Sequence, residues 1–148
     1  LSACNKNNDS DSWKTVETFT FTNNKRIDTA RNNTYFFVQV NPGNNIVFEY
    51  DYQKTAPSNI ADGDLYQHLY FEIPSTATTF TYSDAALANA SCYFLRSCFC
   101  GDVGTKPVTS GTIHGVKRSA TKWTINVDLL MTSANERITF QKDFILSN

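Results

Sequence analysis

No run of about 18 apolar residues occurs in this chain, so no segment reads as a membrane-spanning helix. Neither charge sign is in excess. Lys and Arg number 13 against 14 Asp and Glu, for a formal net charge of −1. That balance provides no basic field to attract nucleic acid. Strong helix formers are scarce and no long helical pattern appears, which argues against a parallel α/β sheet. No repeat recurs at a fixed period. A Gly-x-Ser-x-Gly elbow is missing, and His68 and His114 are the only histidines. Ser110 and His114 share a segment but lie too far apart along an extended chain to touch. Nothing here asks for a catalytic site or a cofactor.

What the chain does have is strand chemistry. Thr, Asn, Phe, Tyr, Val and Ile dominate, and 148 residues with 41% hydrophobic and 14% aromatic content can bury one core. Alternation predicts strands over 15–21, 34–40, 45–52, 65–73, 78–82, 91–99, 108–117, 122–131 and 137–146. Residues 23–33 read as a connection. Asn41-Pro42-Gly43-Asn44 reads as a turn that makes a hairpin of the second and third strands. Ser83 would cap a helical turn over 83–88. The expected fold is all-β: an antiparallel β-sandwich, or related barrel, of eight or nine strands with one short helical turn.

At the N-terminus, Leu1-Ser2-Ala3-Cys4 resembles the lipobox of bacterial lipoproteins, in which the cysteine after small residues receives lipid. The polar stretch 5–12 contains no apolar residue and reads as a solvated tether. Residues 1–13 are therefore expected to be lipobox remnant and tether, and 14–148 a single β domain. The resemblance implies attachment to the bacterial outer membrane, outside the cytoplasm, through lipid on Cys4. The sequence Gly-Thr-Ile-His-Gly-Val-Lys, followed by Lys-Trp-Thr-Ile-Asn-Val-Asp-Leu and Ile-Thr-Phe, lies within 111–146. It resembles the closing hairpins of small secreted β-sandwich lipoproteins of Bacteroidetes-type bacteria. Asp28-Thr29-Ala30 matches the motif on which such bacteria place O-linked glycans, in the predicted connection. Asn5-Lys6-Asn7-Asn8-Asp9 partly resembles their surface-export signal.

Several residues are candidates for chemistry. The second face of the 65–73 strand presents Tyr66, His68, Tyr70 and Glu72, and rings beside polar groups suit stacking on sugars. Tyr50 and Tyr52 would join them from a neighbouring strand. Coverage of both faces would instead make these tyrosines core. Asp62-Gly63-Asp64 is a weak calcium pattern, and a plain turn reads better. Glu49, Asp51 and Glu72 read as solvated strand carboxylates. In an oxidising compartment a disulfide is the default, as Cys92–Cys98 or Cys92–Cys100, with the leftover thiol buried. Trp123 reads as core, and Trp13 as a cap beneath it. The expected role is a non-catalytic binding module for carbohydrate or another cell-envelope ligand. The alternative is a structural, assembly or adhesin-like subunit of the envelope.

Overall fold

The computed structural model describes residues 12–99, 104–133 and 135–148. Its clearest element is the strand Lys122–Met131, where Trp123, Ile125, Val127, Leu129 and Met131 are all buried. A period of two places every second side chain on one face, so alternating sequence becomes one buried face. Among the described residues nine strands form a single sheet: β1 Lys14–Arg31, β2 Phe36–Thr55, β3 Leu65–Pro74, β4 Thr79–Ser83, β5 Tyr93–Cys98, β6 Gly104–Pro107, β7 Gly111–Ser119, β8 Lys122–Met131 and β9 Glu136–Leu146. Their order is β4-β7-β8-β9-β1-β2-β3-β5-β6. All neighbours are antiparallel except β1 and β9, which pair in parallel at Thr20↔Ile145 and Phe21↔Leu146. The all-β expectation holds, with one short 3₁₀ segment at Asp84–Ala90.

The sheet folds over itself like a sandwich. Phe71 of β3 and Phe80 of β4 stand far apart in the strand order, yet their rings meet at 5.9 Å. Phe48 stacks on Phe71 at 4.8 Å and meets Trp123 edge-on at 5.5 Å. These contacts close one aromatic core between the two halves of the sheet. Gly115 makes room for it, because a Cβ there would run into the Phe80 ring and Ile125.

Two strands run longer than the sequence suggests. β1 continues through the expected connection, and β2 continues through Asn41-Pro42-Gly43-Asn44. Lys25 faces both Pro42 and Asn45, so Gly43 and Asn44 stand opposite no residue of their own. Asn24 adopts φ 56° beside this irregularity. The turn-forming residues thus lie in a β-bulge rather than a hairpin, and the left-handed residue there is Asn24 on the opposite strand. The real hairpin joins Arg31 to Phe36, where the Asn32 side chain accepts the Thr34 and Tyr35 N–H groups at 2.9 and 2.6 Å. The arm beyond the bulge lies over the outer face of the sheet. It buries Ile27, and the Phe36 ring meets Tyr93 at 5.7 Å.

Smaller corrections follow from the same pairing. β6 lies outside the predicted strands, and β7 starts at Gly111 rather than at 108. Ser83 holds the cap position of the 3₁₀ segment, but its hydroxyl pairs with Thr112 Oγ1 at 2.9 Å and makes no cap bond. Trp13 is 45% exposed and packs beside Lys54 rather than closing the core.

Candidate functional site

Directly paired residues of adjacent strands share a face. On β3 the core face carries Gln67, Leu69, Phe71 and Ile73, all buried. Tyr66, His68, Tyr70 and Glu72 therefore stand on the outer face, as the alternation predicts. Their neighbours there are Gln53, Asp51, Glu49 and Val47 of β2. Tyr50 and Tyr52 do not join the stripe, because they point to the other side. Tyr50 is buried and stacks on Phe19 at 5.0 Å, and burial raises the pKa of its hydroxyl.

The stripe is divided by what covers it. At one end Glu72 is structural. Its Oε2 accepts the Ile27 N–H at 2.8 Å and its Oε1 accepts the Ser91 hydroxyl at 2.9 Å. It thereby ties the β1–β2 arm and the end of the 3₁₀ segment to β3. Tyr70 comes next, half-buried in a 220 Å³ hollow whose walls include Phe36 and Val38 of the arm and Leu95 of β5. Burial pushes its hydroxyl up to about 12. His68 stacks on Tyr70 at 5.8 Å and 10° and pairs with Asp51 through Nδ1. The bond to Asp51 raises the imidazole pKa against the opposing effect of partial burial. Glu49 beside them is raised by burial and by the Asp51 charge.

Tyr66 is the open member, at 38% exposure. It sits in a surface depression of 350 Å³ together with Ile60, Asp62, Asp64, Ser97, Cys98 and Phe99. The Tyr66 hydroxyl accepts a hydrogen bond from Gln53 Nε2 at 3.1 Å, which orients the ring. Phe99 is 84% exposed and Ile60 43%. Trp13 and Ile60 both abut Gly63. Antiparallel pairing of β2 with β3, and of β3 with β5, brings the loop between β2 and β3 beside the end of β5. That is why residues from 60 to 64 meet Phe99. Sequence reasoning singled out Tyr66, Asp62 and Asp64 separately and missed Ile60 and Phe99. The signal it lacked was the register that joins them.

Asp64 Oδ1 accepts the Ala56 N–H at 2.9 Å, closing its loop as the turn reading has it. Among the described residues no group of three or more His, Cys, Asp or Glu side chains is placed to hold a metal ion. His114 is exposed on β7, with Nδ1 at 2.8 Å from Thr81 Oγ1.

The bridges expected from Cys92, to Cys98 or to Cys100, are corrected: Cys92 is a buried free thiol within the core. Burial pushes its pKa up to about 12. Cys92 follows the 3₁₀ segment, and its N–H is bound by Leu87 O at 3.3 Å, which turns the side chain inward. Cys98 lies in the Tyr66 depression. Cys4 and Cys100 lie outside the described residues. Thr29 is exposed but sits on β1 opposite Val38, not in a connection.

No protein-family model, curated protein or solved structure matches this chain.

Proposed function

We propose that this protein is a lipid-anchored, extracytoplasmic, non-catalytic binding module for carbohydrate of the bacterial cell envelope, with the Tyr66 depression as its site. The observation that carries the reading is the exposed pair Tyr66 and Phe99 lining one hollow with the carboxylates Asp62 and Asp64. Aromatic faces stack on the apolar faces of sugar rings, and carboxylates accept hydrogen bonds from sugar hydroxyls. The lipobox resemblance of Leu1-Ser2-Ala3-Cys4 supports attachment through Cys4 and an outer-membrane address. Eight residues lie between Cys4 and Trp13, a separation that spans at most roughly 32 Å when fully extended. Trp13 and Ile60 of the depression both abut Gly63, so such an anchor would hold the site near the membrane's own glycans.

The test is titration of the folded domain with a panel of envelope glycans, followed by two-dimensional NMR and calorimetry. A binding glycan should move the signals of Tyr66, Ser97 and Phe99. Tyr66→Ala and Phe99→Ala should each weaken it about tenfold, or about 1.4 kcal/mol. Binding indifferent to both substitutions, or absent across the panel, rejects the site.

A second reading, an assembly or adhesin-like subunit, rests on the tip of the β1–β2 arm. There Tyr35 is 63% exposed and Phe37 36%. It predicts association through the arm.

A further inference from the structure

An unassigned cavity of 310 Å³ lies between the edge strand β6 and the end of β8. One wall is the inner face of β5 and the sheet edge β6, and the other is the end of β8 with the turn that follows it. Phe94, Val108 and Met131 form an apolar lining and are almost fully buried. Leu130, 36% exposed, stands at the rim. Mouths of curled sheets are common ligand sites, and this volume is that of a small-molecule pocket.

The cavity is not uniformly apolar. Arg96 stands in its wall, on the same face of β5 as Phe94, and Lys106 of β6 lies opposite Phe94. Arg96 is held in position from behind. Its Nη1 donates to Glu136 Oε2 at 3.0 Å, while the buried Gln67 donates to Glu136 Oε1 at 2.8 Å. Both Glu136 oxygens are thus engaged and the guanidinium orientation is set in advance. One bond to Glu136 leaves most of its N–H groups to serve, and Nε is buried with no hydrogen-bond partner. A guanidinium has five donors, and a buried donor left unmade is costly. A carboxylate matches its planar fork better than any neutral group.

We propose that this cavity binds a small anionic amphiphile, a carboxylate carried on a short hydrocarbon chain, with the chain against Phe94, Val108 and Met131 and the carboxylate on Arg96. The site is separate from the Tyr66 depression and stands or falls independently of it.

Met131 is the single methionine of the sequence, so its methyl group gives one NMR signal from inside the cavity. The protein, labelled with ¹³C-methyl methionine, is titrated with octanoate and, in parallel, with octan-1-ol. Octanoate should shift the Met131 signal saturably, and octanol should require at least tenfold higher concentration. Nuclear Overhauser contacts should connect the octanoate methylenes with the Met131 methyl. The double variant Arg96→Met/Glu136→Gln leaves no stranded carboxylate and should bind the two probes alike. An unmoved Met131 signal, missing contacts, or equal response of the unaltered protein to both probes overturns the proposal. So does a preference for octanoate that survives in the double variant. Should that variant not fold, the contacts and the comparison of probes decide alone.

Discussion

Glu72 holds Ile27 in place across 45 positions of sequence: its carboxylate accepts the Ile27 N–H at 2.8 Å. The contact joins the arm beyond the β1 bulge to the outer face of β3. It converts a residue that reads as a surface carboxylate into a fastening. Glu72→Ala removes the acceptor for both Ile27 N–H and Ser91 Oγ. Leaving a buried donor unmet costs about 1–3 kcal/mol. Denaturant unfolding should show that loss, and hydrogen exchange at Ile27 should accelerate more than at Ile125 of β8. Equal exchange at both would mean that the arm is held by packing alone.

The His68–Asp51 pair should make stability depend on pH. The folded imidazole pKa is raised, chiefly by its hydrogen bond to Asp51. A raised pKa contributes stability that is complete below the unfolded value of about 6.5 and is lost as pH rises through the folded one. Asp51→Asn should therefore cost more at about pH 6 than above the folded pKa. Solvent reaches both side chains, so the difference should stay below about 1 kcal/mol. NMR titration of His68 should show its pKa falling in the variant. An unchanged midpoint would contradict the pairing.

Cys92 should behave as a buried apolar group rather than as half of a bridge. Its thiol is enclosed and its pKa is pushed up to about 12. In native protein kept free of reductant, iodoacetamide should leave the Cys92 peptide unlabelled. The same reagent in guanidinium should label it, as mass spectrometry would show. Cys92→Ser places a hydroxyl in the core and should cost about 1–3 kcal/mol. A Cys92 peptide that labels only after reduction would restore the bridge.

Gly115 should tolerate no side chain. A Cβ at this position collides with the Phe80 ring and Ile125. Overpacking of this kind costs about 1–3 kcal/mol. Gly115→Ala should lower the thermal midpoint, and Gly115→Ala/Phe80→Leu should lose less than the sum of the two single changes. Additive losses would show that Gly115 and Phe80 are not in contact.

The exposed arm tip tests the assembly reading. If Tyr35 and Phe37 seat against another copy, sedimentation should show a concentration-dependent dimer that Tyr35→Ser/Phe37→Ser abolishes. A monomer at every concentration removes self-association and leaves the binding-module reading alone.

Much of this fold is local, and that part was legible in the residues. The alternation over 122–131 sends Trp123, Ile125, Val127, Leu129 and Met131 into the core, and strand β8 has the bounds that the alternation predicts. The 65–73 pattern correctly separates Leu69, Phe71 and Ile73 from Tyr66, His68 and Tyr70. A strand's period is a property of consecutive residues, so composition and order suffice to reveal it. What depended on distant partners was decided only by the tertiary structure. Asn41-Pro42-Gly43-Asn44 reads as a turn, and only its pairing with Lys25 makes it a bulge. Gln67 breaks the apolar pattern of β3 yet is buried, because Glu136, 69 residues onward, supplies its hydrogen bond. Cys92 could have bridged, but the end of the 3₁₀ segment turns it into the core. Tyr66 met Phe99 and Asp62 only through register. Local sequence determines which faces exist, whereas strand pairing across the chain determines what each face meets.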